Sequence, residues 1–258
     1  MFSLRYILFV CLPLIFTEAS YVFKFEPCSI KDKDCVLDLF QKIFHDLGEN
    51  GIEDIGIPRI DPMKLNDISI KVLDEIVIFI KEGVVKGFKN AKVNRFNIDL
   101  DKQLATLELA CEVVTIKGHF VIEGSNPLLE SVFGTSSIKG EGKTKIKLDK
   151  ITIGLEIPVT VIKKDGETYF KVLTTKPKYT YDIQKVTFEA KNLVIGKNDL
   201  SQLVTTYVNE NWKTLLKTYG KEIMDKAMYI VFEVIHKFYD NIDAKKLITE
   251  DLTPYIQN

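Results

Sequence analysis

The sequence predicts an α+β fold in which a highly curved antiparallel β-sheet wraps around a long apolar helix. Between about residues 65 and 195, apolar residues recur at every second position, which is typical of strands with one buried face. From about residue 200 to residue 238 they recur at helical spacing instead. Neither apolar surface can be buried alone, and wrapping the sheet around the helix buries both. A cylinder of this kind can leave an internal apolar tunnel between helix and sheet.

The net charge of the chain limits the kinds of partner that the protein is expected to bind. The chain has 258 residues and a formal net charge of -1. A nucleic-acid-binding protein needs a net basic face, so no nucleic-acid partner is expected. The balanced charge also argues against strong electrostatic membrane binding. It is compatible with a monomer, which is the oligomeric state we expect.

Residues 1–19 have the pattern of a secretory signal peptide. Arg5 supplies the positive charge, and Tyr6–Phe16 form an apolar run too short to span a bilayer. A small-x-small cleavage site precedes Ser20. We therefore expect a secreted, extracellular protein whose mature chain, residues 20–258, is a single domain without stable membrane insertion. The alternative is an uncleaved anchor.

The first helix is expected just after a pair of cysteines. In an oxidising compartment Cys28 and Cys35, which are close in sequence, should pair as a disulfide. Ser29 or Asp32 could cap the helix, and Gly48 should end it. Its apolar residues at helical spacing are Val36, Leu37, Phe40, Ile43, Phe44 and Leu47.

The sheet is predicted from several alternating runs. The longest are Leu107, Leu109, Cys111 and Val113, then Ile116, Phe120 and Ile122, then Ile151, Ile153, Leu155, Ile157, Val159 and Val161. Asp165 and Gly166 are a hairpin signal before a further strand. Many long strands in succession indicate a curled sheet or barrel. Cys111 is expected to be a buried free thiol that behaves as a small hydrophobe.

The late helix is expected to begin where Asp199 and Gln202 have capping-box spacing. Gly220 is expected to break or bend it. The apolar stripe widens after this glycine, which predicts more complete burial of the second half. The apolar positions are Leu200, Leu203, Val204, Tyr207, Val208, Trp212, Leu215, Leu216 and Tyr219, then Ile223, Met224, Ala227, Ile230, Val231, Val234, Ile235 and Phe238.

Four motifs in a specific order and spacing are shared with one family. They are Cys28…Cys35 ahead of a helix, Gly56-Ile57-Pro58-Arg59-Ile60-Asp61-Pro62, Gly118-His119-Phe120-Val121-Ile122-Glu123-Gly124 followed by Gly140-Glu141-Gly142, and Asn209-Glu210-Asn211-Trp212. In these motifs the chain resembles the insect takeout and juvenile-hormone-binding protein family, and within it the takeout-like branch. It departs from the family pattern at Ile242–Leu247, where a proline is usual.

The resemblance implies a super-roll, in which the curved sheet surrounds the long helix and encloses a hydrophobic tunnel. It also implies a soluble carrier of juvenile hormone, a fatty acid or a similar lipid in extracellular fluid, and no enzyme activity. The identity of the ligand does not follow from any of the shared motifs.

We select candidate ligand-lining residues from two kinds of position. They are the alternate strand positions expected to face the interior and the apolar stripes of the helices. Tyr207 and Trp212 would also offer a hydroxyl and an indole donor to the polar end of a ligand. The candidates are Ile43, Phe44, Leu107, Leu109, Phe120, Ile122, Ile153, Leu155, Tyr207, Trp212 and Leu216.

No catalytic, metal or cofactor site is predicted. The sequence has no Gly-x-Ser-x-Gly elbow, and its three histidines have no metal-ligand spacing. Gly140–Thr144 looks like the end of a phosphate loop, but Ser137 stands where a glycine is required. The lysines at positions 139, 143, 145 and 147 indicate a solubilising strand face or, alternatively, contact with anionic lipid.

Two other functions remain open from the sequence. One is an extracellular interaction or signalling module whose core is filled by side chains. The other is a hydrolase acting on lipids, which would need a nucleophile, a base and an orienting group within reach of one another.

Overall fold

The computed structural model describes residues 24–257, except 73–74, 128–129, 175–177 and 196. The predicted signal peptide and its cleavage site lie outside the described residues. The strands are β1 (Met63–Val72), β2 (Ile76–Lys86), β3 (Lys92–Asp99), β4 (Leu104–Ser125), β5 (Ser137–Lys164), β6 (Glu167–Val172), β7 (Lys178–Ile195) and β8 (Asn198–Asp199). The α-helices are α1 (Lys33–Glu49), α2 (Glu130–Phe133) and α3 (Ser201–Asn241), and short 3₁₀ helices span Glu53–Ile55, Phe88–Asn90, Ala244–Lys246 and Thr253–Tyr255.

The strands form one antiparallel sheet in the order β1-β2-β4-β5-β7-β8. The two central strands are so long, 22 residues for β4 and 28 for β5, that each pairs with different neighbours along its length. The first part of β4 pairs with β3 and the second part with β2. The end of β5 pairs with β6 through the predicted hairpin, where Asp165 and Gly166 both have positive φ. This is the curved antiparallel sheet that the alternating sequence predicts.

The buried positions of β4 change from odd-numbered to even-numbered residues once along the strand. This corrects one detail of the predicted alternation. Cys111 and Val114 are both buried, whereas Val113 is 40% exposed. Opposite this point Lys150 of β5 has positive φ, and the paired positions step from Cys111–Ile151 to Val113–Asp149. One residue of each strand, Glu112 and Lys150, is left out of the ladder at this point, and the inward face of β4 passes from odd to even positions while the register is kept.

The long helix α3 closes the curled sheet. Its 41 residues extend about 60 Å at 1.5 Å per residue. It packs along β7 and β6 and also touches β1, a strand at the opposite edge of the sheet order. The sheet therefore curves far enough for one helix to contact strands near both edges. No described helix is both long and apolar enough to cross a membrane.

Two expectations about α3 need correction. The helix does not break at Gly220 and continues through it. Gly220 is buried beside β7, and a Cβ there would lie 2.5 Å from the Tyr181 hydroxyl. The capping box does not form either. The Asp199 carboxylate accepts a hydrogen bond from the Ser201 N–H at 2.8 Å, and the Gln202 amide donates to the Thr206 hydroxyl instead.

The helix α1 and both ends of the described chain are joined at one end of the sheet. The Asp32 side chain caps α1 by accepting from the Cys35 N–H, and Cys28 and Cys35 form the predicted disulfide. The backbone of Cys28 exchanges hydrogen bonds with Leu247 and Thr249 near the C-terminus. As a result, the residues before α1 are fixed to the segment that follows α3.

Candidate apolar binding site

The interior of the curled sheet is tightly packed at the end where α1 lies. One large apolar cluster joins α1, β3, the adjoining halves of β4 and β5, β6 and the second half of α3. Phe170 and Leu247 within it are exposed by 1% or less. The buried residues of α3 all lie from Gly220 onward: Gly220, Met224, Met228, Phe232, Phe238 and Tyr239. The prediction that the second half of α3 is the more completely buried is confirmed.

The interior at the opposite end is packed more loosely, and we call it the loosely packed end. Its buried apolar residues form two small clusters, Ile76 with Ile138 and Phe120 with Ala190 and Leu193, which are separate from the main cluster. The apolar residues packed against these two clusters are only partly buried: Val72, Ile78, Ile122, Phe188, Ile195 and Val204. This end therefore has far fewer buried side chains than the end where α1 lies.

The candidate lining residues from the sequence are divided between these two ends. Ile43, Leu109, Ile153 and Leu155 are buried in the main cluster, and Phe44, Leu107 and Leu216 pack against it. Phe120 and Ile122 lie at the loosely packed end. Tyr207 is 38% exposed, and Trp212 is half-buried with the Lys213 ammonium 5.6 Å from its ring. The structure thus brings only part of the predicted set to the loosely packed end, and their role as ligand contacts stays a prediction.

The sequence reasoning did not select several inner residues of the loosely packed end. Ile78 of β2, Phe188 of β7 and Val204 of α3 are among them. The alternation of apolar and polar residues along each strand predicts that these strand side chains face the interior. It does not show which part of each strand faces the first half of α3 and which part faces the packed core.

Polar side chains of α3 hold the first half of this helix against the edge of β7. The Phe188 N–H donates to the Asn209 amide oxygen at 2.8 Å, and the Asn209 amide nitrogen donates to the Phe188 carbonyl at 2.8 Å. The N–H groups of Ala190 and Leu193 donate to the hydroxyls of Thr205 and Ser201, both at 2.9 Å. Residues 201, 205 and 209 are four apart and share one helix face. They satisfy backbone groups that a further strand would otherwise bind.

A second polar contact fixes the middle of α3. The Tyr179 hydroxyl donates to the Asp225 carboxylate at 2.6 Å, and the Lys221 ammonium donates to the other carboxylate oxygen. The hydrogen bond from Lys221, followed by that from Tyr179, lowers the pKa of Asp225. Burial and the bond to Asp225 raise the pKa of Tyr179 above its usual range, so the hydroxyl remains a donor. These groups serve to position the helix.

The described residues offer little for reactive chemistry. They contain no group of three His, Cys, Asp or Glu side chains placed to hold a metal ion. Cys111 is a buried free thiol, as predicted, and burial raises its pKa to about 11, which keeps it protonated and unreactive.

Comparison with known proteins identifies the family. The sequence model of the family described as haemolymph juvenile hormone binding protein (JHBP) matches residues 7–249. Among solved structures, Takeout 1 of Epiphyas postvittana superposes with a TM-score of 0.74 at 26% identity, covering 88% of this chain and 100% of that one. A lipopolysaccharide binding protein gives a TM-score of 0.37 at 15% identity, covering 87% of this chain and 40% of that one. No curated protein matches. Because the family match spans nearly the whole sequence, the chain belongs to the haemolymph juvenile hormone binding protein family.

Proposed function

We propose that the protein is a secreted carrier that holds one elongated hydrophobic molecule between the first half of α3 and the curled sheet. The observation that carries this proposal is the loosely packed end, where apolar residues such as Ile78, Phe188 and Val204 remain partly exposed. The signal-peptide pattern of residues 1–19 supports secretion. Membership of a family named for juvenile hormone binding supports a lipid-like ligand.

Binding at such a site does not require a charged protein group to hold the ligand. Burying a chain of about 16 carbons at roughly 0.8 kcal/mol per methylene contributes about 12 kcal/mol before costs. Lost motion and the ordering of side chains take back several kcal/mol. The remainder corresponds to micromolar to nanomolar affinity. Juvenile hormone, a fatty acid or a similar lipid has an apolar chain suited to binding in this range of affinity.

The first test uses Trp212, the only tryptophan in the sequence. The secreted chain, stripped of bound lipid, is titrated with a long-chain fatty acid and with juvenile hormone while tryptophan fluorescence and native mass are recorded. We expect one molecule bound per chain, with a saturable fluorescence change at micromolar concentration or below. If neither ligand nor any co-purified lipid binds at micromolar concentration, the carrier proposal is wrong and a filled interaction module is the better description.

A matched pair of variants locates the site. Val204 packs with the apolar residues of the loosely packed end, whereas its neighbour Leu203 is 45% exposed. Val204→Trp should fill the proposed binding space and weaken binding about tenfold or more, since the ligand then loses buried methylenes. Leu203→Trp adds the same side chain outside and should bind as wild type. Equal binding by the two variants would place the ligand elsewhere.

A separate experiment tests the alternative that the protein is a hydrolase. Incubation of the protein with a fatty-acid ester or with juvenile hormone, followed by product analysis, should return the ligand unchanged. Turnover that is abolished by mutation of a single polar residue would establish enzyme activity and contradict this part of the proposal.

A further inference from the structure

A groove crosses the outer face of the sheet, on the side turned away from α3. It has a volume of about 630 Å³ and is lined by five successive strands of the sheet order, β1, β2, β4, β5 and β7. Four inter-strand spacings of about 4.8 Å make it roughly 19 Å long. The lining residues are Lys64, Asn66, Glu82, Gly83, Val84, Lys117, Gly118, His119, Lys143, Thr144, Lys145, Glu189 and Lys191.

The groove is a consequence of how the sheet bends. Strand irregularities lie beside it in β1, where Asp67 has positive φ, in β2 between Ile80 and Glu82, and between β5 and β7 next to Lys143. Irregularities bend the strands that carry them. Gly83 and Gly118 are paired at this level, and a Cβ on Gly118 would lie 2.9 Å from the Glu82 carbonyl oxygen. The concavity is therefore built into the backbone and does not depend on side-chain positions.

The charge of the groove is opposite in sign to that of the whole chain. Five lysines and two glutamates line it, whereas the protein as a whole has a formal net charge of -1. The Lys191 ammonium pairs with the Glu189 carboxylate at 2.9 Å. In the part of the chain that the structure describes, the other four lysines form no ion pair within 4.0 Å: Lys64, Lys117, Lys143 and Lys145.

The strand register places like charges beside one another. Lys117 of β4 is directly opposite Lys145 of β5, and Lys143 of β5 is opposite Lys191 of β7, while Lys145 is also directly opposite Glu189 of β7. Like charges at directly opposed positions destabilise a sheet. An anion lying along the groove would relieve this repulsion and release counterions.

We propose that this groove binds a sulfated polysaccharide chain. Lysines present point charges, which suit sulfate groups spaced along a flexible chain. The lining contains no Phe, Tyr or Trp on which nucleic-acid bases could stack. Three of its five strands, β2, β4 and β5, are paired on both sides, so the middle of the groove offers a peptide no free strand edge. Its concave shape fits a narrow chain better than a flat bilayer.

The test is binding of heparin, as a sulfated polysaccharide, to the secreted chain at low and physiological salt. We expect binding that weakens steeply as salt rises. Lys117→Gln with Lys145→Gln should reduce the affinity roughly tenfold, because counterion release falls with each cation removed. The thermal stability of the same variant should stay close to that of wild type, since it loses the repulsion between Lys117 and Lys145 together with the attraction between Lys145 and Glu189.

The matched control is Lys217→Gln with Lys226→Gln, which makes the same charge change at two exposed lysines of α3 outside the groove. It should bind heparin as wild type does. Absence of heparin binding at low salt, or equal loss in both double variants, would overturn the proposal. Stronger binding to vesicles of anionic phospholipid, or to polyglutamate of equal charge, would overturn it in favour of a membrane or an acidic peptide.

Discussion

Asn209 shows how a single residue can determine where a long helix lies. Its side chain donates to the Phe188 carbonyl and accepts from the Phe188 N–H, both at 2.8 Å. Two residues further along α3, Asn211 only donates to the Tyr207 carbonyl of its own helix and is otherwise turned to solvent. Both asparagines belong to one of the motifs shared with the family, but the sequence gives no reason to distinguish them.

We expect Asn209→Ala to lower the free energy of unfolding by about 2–3 kcal/mol, because a partly buried N–H and carbonyl both lose their partner. Asn211→Ala is the control, and its effect should stay within about 0.5 kcal/mol, as for most surface substitutions. Urea denaturation followed by circular dichroism measures both. Similar losses for the two variants would contradict the assignment of Asn209 as the contact between α3 and β7.

Cys111 provides a second test at a single residue. Because burial raises the pKa of this thiol to about 11, it should not react with a thiol reagent at neutral pH while the protein is folded. After unfolding without reductant, one thiol per secreted chain should react. Rapid labelling of the native protein would show that this part of β4 is exposed.

Among the elements, the disulfide connects α1 to the C-terminal segment. Cys28 and Cys35 enclose a short loop, and Cys28 also bonds to the backbone of residues 247 and 249. Replacing both cysteines by serine should lower the free energy of unfolding by about 2–3 kcal/mol, the value for closing so small a loop. Reductant should lower the stability of the wild type by a similar amount and leave the variant unchanged. A variant as stable as wild type would show that the backbone pairing alone holds this end.

The types and order of the elements could be predicted because each has its own periodicity. The cap at Asp32, the Asp165–Gly166 hairpin and the long alternating strands are all confirmed. Gly220 was misjudged because glycine lowers helix propensity. In the folded protein this glycine provides room for the Tyr181 hydroxyl, and α3 passes through it.

For the whole molecule, the uneven packing predicts uneven dynamics along α3. The second half of the helix is buried in the main cluster, whereas the first half has no fully buried residue before Gly220. In hydrogen exchange measured by mass spectrometry, peptides from residues 201–218 should therefore exchange faster than peptides from residues 224–239. A bound hydrophobic ligand should slow exchange chiefly in the first group. Protection of the second group alone would place the ligand at the packed end.

The sequence by itself determined the α+β class, the long late helix, the curled antiparallel sheet and the cysteine pair. Each of these follows from residue spacing or residue type along the chain, because local periodicity fixes which face of an element is apolar. Only the tertiary structure decided which apolar positions fill the core and which border the loosely packed end, since this depends on where α3 crosses each strand. It also decided that lysines distant in the chain, such as Lys64 and Lys191, line one outer groove. Strand register and bending create that proximity, and neither can be obtained from spacing along a single strand.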